Sequence, residues 1–212
     1  MAIRDDSKCL SQPMNGVPQV LRASLNCDGR RAWALLAVLA VPWLLLSGGT
    51  PWLLALRYER SALHAGEWWR LISAHWVHLG AQHLWLDSAA LVLLWALYAR
   101  MLRAWEWLVV VVAATAAIDA GLWFAQPQLQ WYAGLSGILH GVWAAGAAAV
   151  GRRQGRWSWL MLAVLALKFG LEQRSGASLI SADLPVVTVA HLYGALGGLA
   201  GWAALALARK PL

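Results

Sequence analysis

Gly134-Leu135-Ser136-Gly137-Ile138-Leu139-His140-Gly141 opens one apolar stretch of this chain, and Ala190-His191-Leu192-Tyr193-Gly194 opens another. Both stretches read as membrane helices, so a serine hydroxyl and a histidine imidazole enter a lipid-embedded bundle. Polar and ionisable groups are costly in hydrocarbon and rare there unless they serve a function. Gly137 and Gly141 lie at i, i+4, and Gly194 with Gly198 and Gly197 with Gly201 repeat the interval. Small residues so spaced let membrane helices pack tightly. The two helices are therefore expected to be direct neighbours, with Ser136 and His191 at the top of their contact.

Composition points the same way. Of 212 residues, 60% are hydrophobic and 13% charged, and 16 are tryptophan, too little charge for a soluble domain of this size. A crossing helix takes roughly 20 residues, so six would use about 120. The net charge of +7 is not a nucleic-acid signature, because the basic residues gather between apolar runs: Arg30-Arg31, Arg100 with Arg103, Arg152-Arg153 with Arg156, and Arg209-Lys210. That is the pattern of cytoplasmic membrane loops. Cys9 and Cys27 both lie in the polar N-terminal stretch, where a reducing cytoplasm disfavours a disulfide.

The expected organisation is an all-α integral membrane bundle of six transmembrane helices. Residues 1–30 form a flexible cytoplasmic tail, 31–208 the six-helix domain, and 209–212 a cytoplasmic C-terminal tail. The spans run roughly 32–48, 83–98, 105–124, 134–150, 157–171 and 186–208. The first follows two arginines as a signal peptide would, but no small-residue cleavage site ends it, so it reads as retained. Residues 51–82 mix tryptophan with arginine (Trp68-Trp69-Arg70 among them), which suits short amphipathic helices at the outer face. With six spans, all four basic clusters fall on one side, placing both termini in the cytoplasm. Ser136 and His191 then lie at matched depth, on the order of 5–10 Å below the outer boundary.

A serine hydroxyl is a weak nucleophile until a base takes its proton, and neutral histidine is the usual base near neutral pH. Acyl transfer also needs donors for the oxyanion. Ser136 sits near a helix N-terminus, where backbone N–H groups are unpaired, and His83-Leu-Trp-Leu-Asp87 puts His83 and Asp87 on one helical face. The Gly-x-Ser-x-Gly elbow of soluble hydrolases is absent, because Ile138 stands where its second glycine belongs. A serine in a span often only packs, and a lone histidine can line a proton path. Their joint presence at matched depth favours a hydrolase.

At these residues the chain resembles the rhomboid family of intramembrane serine proteases, over most of residues 32–208. Trp69-Arg70, His83-Leu-Trp-Leu-Asp87, Gly134-Leu-Ser136-Gly137 and Ala190-His191 with its glycine ladder carry the resemblance, in the family's order. Ser136-Gly-Ile-Leu-His140-Gly, Lys168…Glu172-Gln173 and His191-Leu-Tyr-Gly resemble the rhombosortase branch. The resemblance implies Ser136 as nucleophile, His191 as general base, and His83, Asp87, Gly134 and the Ser136 backbone around the oxyanion. It implies cleavage of a substrate's transmembrane segment or C-terminal anchor near the periplasmic face of a bacterial inner membrane, with no metal and no cofactor. For the branch it implies surface-sorted substrates whose C-terminal tail has small residues, an apolar helix and a basic end.

Two positions depart from the family. Asp87 stands where many rhomboids have asparagine; an ionised aspartate only accepts, so it either carries a proton or pairs with His83 to fix that ring as a donor. His140 stands where many have tyrosine; it is expected one turn below Ser136, stacked on or hydrogen-bonded to His191. Lys168 and Glu172, at i, i+4, read as a structural ion pair, since a lone mid-membrane charge costs about 2.5–3.5 kcal/mol. Asp119 has no obvious partner. His75, His78 and His83 lack zinc-protease spacing. The competing readings are an inactive rhomboid-like protein that binds membrane helices and a small transporter using Asp87, Asp119 and Lys168; the latter lacks repeated halves.

Overall fold

The computed structural model of the protein describes residues 30–154, 156–175 and 186–209. The expected tails, apart from Arg30 and Arg209, lie outside the described residues, as do Cys9, Cys27 and Pro185. The chain begins with helix α1 (Arg30–Ser47), which bends by 113° into α2 (Gly49–Leu56). Strand β1 (Tyr58–Glu59), α3 (Arg60–His64) and α4 (Arg70–Ser73) fill the connection to α5 (Ala81–Tyr98). Helix α6 (Ala104–Ala120) runs on into a π-helical turn, Gly121–Ala125. Strand β2 (Trp131–Tyr132) precedes α7 (Ser136–Gln154), α8 (Arg156–Ser175) and α9 (Thr188–Ala208).

Burial is inverted relative to a water-soluble protein. Arg70, His75, His78, His83, Asp87, Glu106, Glu172 and His191 are buried, whereas Trp33, Trp52, Trp85, Trp105, Phe124, Trp159 and Leu207 are exposed. Exposed apolar surface on this scale needs an apolar partner, and lipid supplies one to every outward face at once. By length and apolarity, two stretches of the described residues are able to cross a membrane: Ala104–Ala125 and Thr188–Ala208. The bent α1–α2 pair adds a third if it is one broken span, and Ser136–Gly151 is a shorter apolar helix. Helix α5 carries Gln82, His83, Asp87 and Ser88 in its first half, and α8 carries Lys168, Glu172 and Arg174; these residues lower their apolarity.

Helix α9 is the centre of the bundle, packed on α7 and on α6. One face of α9 meets α7 backbone to backbone. A Cβ added at Gly194 would strike the Gly137 carbonyl, and one at Gly198 would strike the Gly141 carbonyl. The other face sets Gly197 against Ala113 and Ala117 of α6. The glycine spacing thus makes α7 and α9 direct neighbours.

The connection between α2 and α5 is stitched down by arginines. Arg70 is buried, donates to the Leu54 and Arg57 carbonyls at 2.8 and 2.9 Å, and pairs with Glu67 at 2.6 Å. Arg60 donates to the Leu122, Trp123, Gln126 and Leu129 carbonyls at 2.6–3.3 Å. It thereby satisfies oxygens left free where the π-turn ends, which a helix cannot do for itself. These contacts place β1 beside β2, and the two pair antiparallel, Tyr58 opposite Tyr132 and Glu59 opposite Trp131. The all-helical expectation is corrected to that extent: two connections meeting at one end of the bundle form a short ribbon.

Two boundaries also differ. The stretch expected to be helical from Gly134 becomes helical only at Ser136. Gly134 has φ +129°, which a helix cannot include, and Leu135 gives its N–H to Asp87 Oδ2 at 3.2 Å. Helix α9 starts at Thr188 rather than at 186.

The glycine contact makes a direct prediction. Gly198→Ala has only backbone against it, so it costs about 1–3 kcal/mol of overpacking strain. Gly170→Ala on exposed α8, with nothing within 4 Å, gains roughly 0.5–1 kcal/mol from helix propensity. Thermal unfolding of the two variants in one detergent should move the midpoint in opposite directions.

Candidate active site

The glycine contact carries Ser136, the first residue of α7, toward His191, in the first turn of α9. Ser136 Oγ and His191 Nε2 are 3.0 Å apart, within hydrogen-bond distance. His191 is 2% exposed. Its other nitrogen, Nδ1, lies 3.1 Å from Glu172 Oε2. Glu172, on α8, is fully buried and meets Lys168 Nζ through Oε1 at 2.5 Å. The ion pair expected within α8 is there, but its carboxylate also faces the histidine of α9. Sequence reasoning missed that contact; the only available signal was that Lys168 and Glu172 lie toward the same end of the bundle as Ser136 and His191.

His140 lies one turn into α7, with Nδ1 2.7 Å from the Ser136 carbonyl. Its ring stacks on His191, centroids 4.1 Å apart and planes 16° from parallel, and Phe169 closes on it at 5.6 Å. Of the two expected contacts with His191, stacking is the one present. Its Nδ1 is spent on the backbone, so the ring supports His191 from the side.

Asp87 on α5 is the junction for the opposite wall. Its Oδ2 lies 3.0 Å from His78 Nε2, 3.2 Å from the Leu135 N–H that donates to it, and 3.7 Å from His83 Nε2. The Asp87–His83 pairing considered from the sequence is present as an ion-pair contact at 3.7 Å, too long for a hydrogen bond. His78, in the preceding connection, takes the close position, and both His83 ring nitrogens are buried without a hydrogen bond. The His83 ring lies against Gly134, where a Cβ would come 2.8 Å from Cε1. Tyr132 holds the Gly134 carbonyl by a 2.7 Å hydrogen bond; burial pushes its phenol well above its usual pKa, so it stays a donor. Asp119 is partnered after all, by His75 Nε2 at 3.2 Å.

His83, Asp87, Ser136, His140, Lys168 and His191 line one cleft of about 100 Å³, with Leu86, Ala90, Leu139 and Val186 as its apolar wall. Gly134 supports the cleft from behind His83. The ligand atoms of His140, Glu172 and His191 lie within 4.8 Å of one another. The two rings are nearly parallel, however, so their in-plane lone pairs run side by side instead of converging as a metal requires. Lys168 also holds the carboxylate. His75, His78 and His83 are divided between Asp119 and Asp87.

Ser136 and His191 in contact, among apolar helices and opening on a small cleft, are the arrangement that a membrane-embedded serine hydrolase would need. A family model of the rhomboid domain matches residues 65–208, a stretch that contains every residue of the cleft. The chain belongs to the rhomboid family, whose members are in general intramembrane serine proteases, and it is an integral membrane protein. No curated protein matches the chain.

Asp87→Ala removes the acceptor of a buried backbone N–H and the partner of His78. Each orphaned group costs about 1–3 kcal/mol, so a clear drop in the thermal midpoint is expected. Asp87→Asn keeps an oxygen for the Leu135 N–H and should lose less than half as much.

Proposed function

We propose that this protein is an intramembrane serine endopeptidase in which Ser136 is the nucleophile and His191 the general base. The observation that carries the reading is the 3.0 Å Ser136 Oγ–His191 Nε2 contact inside an apolar bundle. His191 Nε2 takes the hydroxyl proton as Ser136 Oγ attacks the scissile carbonyl, and returns it to the leaving amine as the acyl-enzyme forms. Water then repeats the sequence and frees the serine. The oxyanion is received by the backbone N–H of Ser136, at the open end of α7, and by His83, whose ring nitrogens have no hydrogen-bond partner. Asp87 acts behind them by holding the Leu135 N–H and, at longer range, His83. Gly134 leaves room for the His83 ring, and His140 buttresses His191.

The reading extends to topology and substrate. Six helices cross the bacterial inner membrane, both termini are cytoplasmic, and the site faces the periplasm. The basic residues Arg100, Arg103 and Arg209 support this, since they lie at the ends of α5, α6 and α9 opposite the site. Substrates are single-span or C-terminally anchored proteins. The rhombosortase branch, with surface-sorted substrates ending in small residues, an apolar helix and a basic end, fits the cleft, whose small apolar wall favours small side chains.

A fluorophosphonate probe tests the chemistry. It should label the wild-type protein in membranes and fail to label Ser136→Ala, and His191→Ala should slow labelling by at least about 10³-fold. His140→Ala should retain more activity than His191→Ala in a transmembrane-substrate cleavage assay. Absence of labelling with a folded wild-type protein would favour a helix-binding relative without protease activity.

A further inference from the structure

We propose that Glu172 is the positioning residue of a Ser136–His191–Glu172 triad, with Lys168 as the counter-ion that allows a carboxylate to sit there. This rests on the protease reading above and adds a third group to it. Four observations carry it. Glu172 is fully buried. Its Oε2 faces His191 Nδ1 at 3.1 Å, on the side of the ring away from Ser136. His191 Nε2 faces Ser136 Oγ at 3.0 Å. Lys168 takes the other carboxylate oxygen at 2.5 Å, so the charge is paired and Oε2 remains directed at the ring.

The chemistry follows from donor and acceptor capacity. A carboxylate only accepts, so the hydrogen bond to it requires the ring proton on Nδ1. Nε2 is then bare, which is the form able to take a proton from serine. When that proton arrives, the ring becomes an imidazolium between the departing Ser136 oxygen and Glu172; the Nδ1 proton stays on the ring, and the carboxylate stabilises the new charge without accepting it. Without Glu172 the tautomer of this imidazole is not fixed, and the form protonated on Nε2 offers Ser136 an N–H where a lone pair is needed. The stack of His140 fixes the plane of the His191 ring but cannot choose between its nitrogens.

The test uses the full-length protein in nanodiscs. Histidine is labelled with 15N, and the His191 signals are assigned by their loss in His191→Ala. The wild type is expected to hold its proton on Nδ1. In Glu172→Gln, whose amide can donate to Nδ1, the form protonated on Nε2 should grow. The kcat for a transmembrane substrate and the rate of Ser136 labelling should fall by about 10²–10⁴-fold, with KM little changed. The double variant Glu172→Gln/Lys168→Met removes the stranded ammonium and should give the same result if the single variant folds poorly. An unchanged tautomer overturns the proposal, whether activity survives or falls, because loss of activity alone marks only a structural role. If Ser136 in the wild type takes no label, the protease reading fails instead, and the tautomer comparison still decides what Glu172 does to His191.

Discussion

The contact of α9 with α7 through bare backbone is the constraint on which the rest of the molecule depends. A serine side chain reaches little beyond its own helix, so an imidazole on a second helix can touch it only if the two axes come close. At Gly194 and Gly198 any side-chain carbon would collide with a carbonyl of α7. The closeness is set where no rotamer can adjust it, in an interior packed as densely as a crystal. The same helix uses Gly197 on its other side to approach α6, so α9 is held between two walls and its first turn, with His191, has little freedom to drift.

Polar groups inside the bundle follow a second rule, that each must find a partner or carry a large cost. Glu106 pairs with Arg209, which joins the beginning of α6 to the end of α9. Asp119 pairs with His75, which ties α6 to the connection before α5. Asp87 collects His78 and the Leu135 N–H. Among the described buried histidines, His83 is the one with neither ring nitrogen hydrogen-bonded, and it lines the cleft. A buried ring that makes no hydrogen bond through either nitrogen is a departure that a stability argument does not explain and a binding argument does.

These two rules also explain what the sequence could reveal. The glycine intervals state helix proximity directly, because only a missing side chain permits it, and the helix pair and the meeting of Ser136 with His191 were legible from that alone. The start of α7 was not. Gly134 and Leu135 are apolar and continue the run, and the reason they stay outside the helix is an aspartate on another element. The partners of Asp119 and Asp87 were equally hidden, since His75 and His78 belong to a mixed connection whose path is set by Arg60 and Arg70 reaching for distant carbonyls. The pairing of Tyr58 with Tyr132 arises only once those arginines have anchored the connection.

Lys168 and Glu172 show how local and distant readings differ. At i, i+4 they satisfy one another on a single helix, and periodicity can say no more. A carboxylate has two oxygens, however, and the lysine occupies one. A buried ion pair is weak evidence for stability, because apolar residues of similar size often do as well. Helix α8 already packs its own apolar contacts, Leu165 against Ala144 and Ala195, and presents Leu160, Val164, Leu167 and Leu171 outward. Cohesion of α8 therefore does not require a charged pair. What apolar residues could not provide is direction: an acceptor held at one point, facing one nitrogen of one imidazole, while the other nitrogen faces the serine.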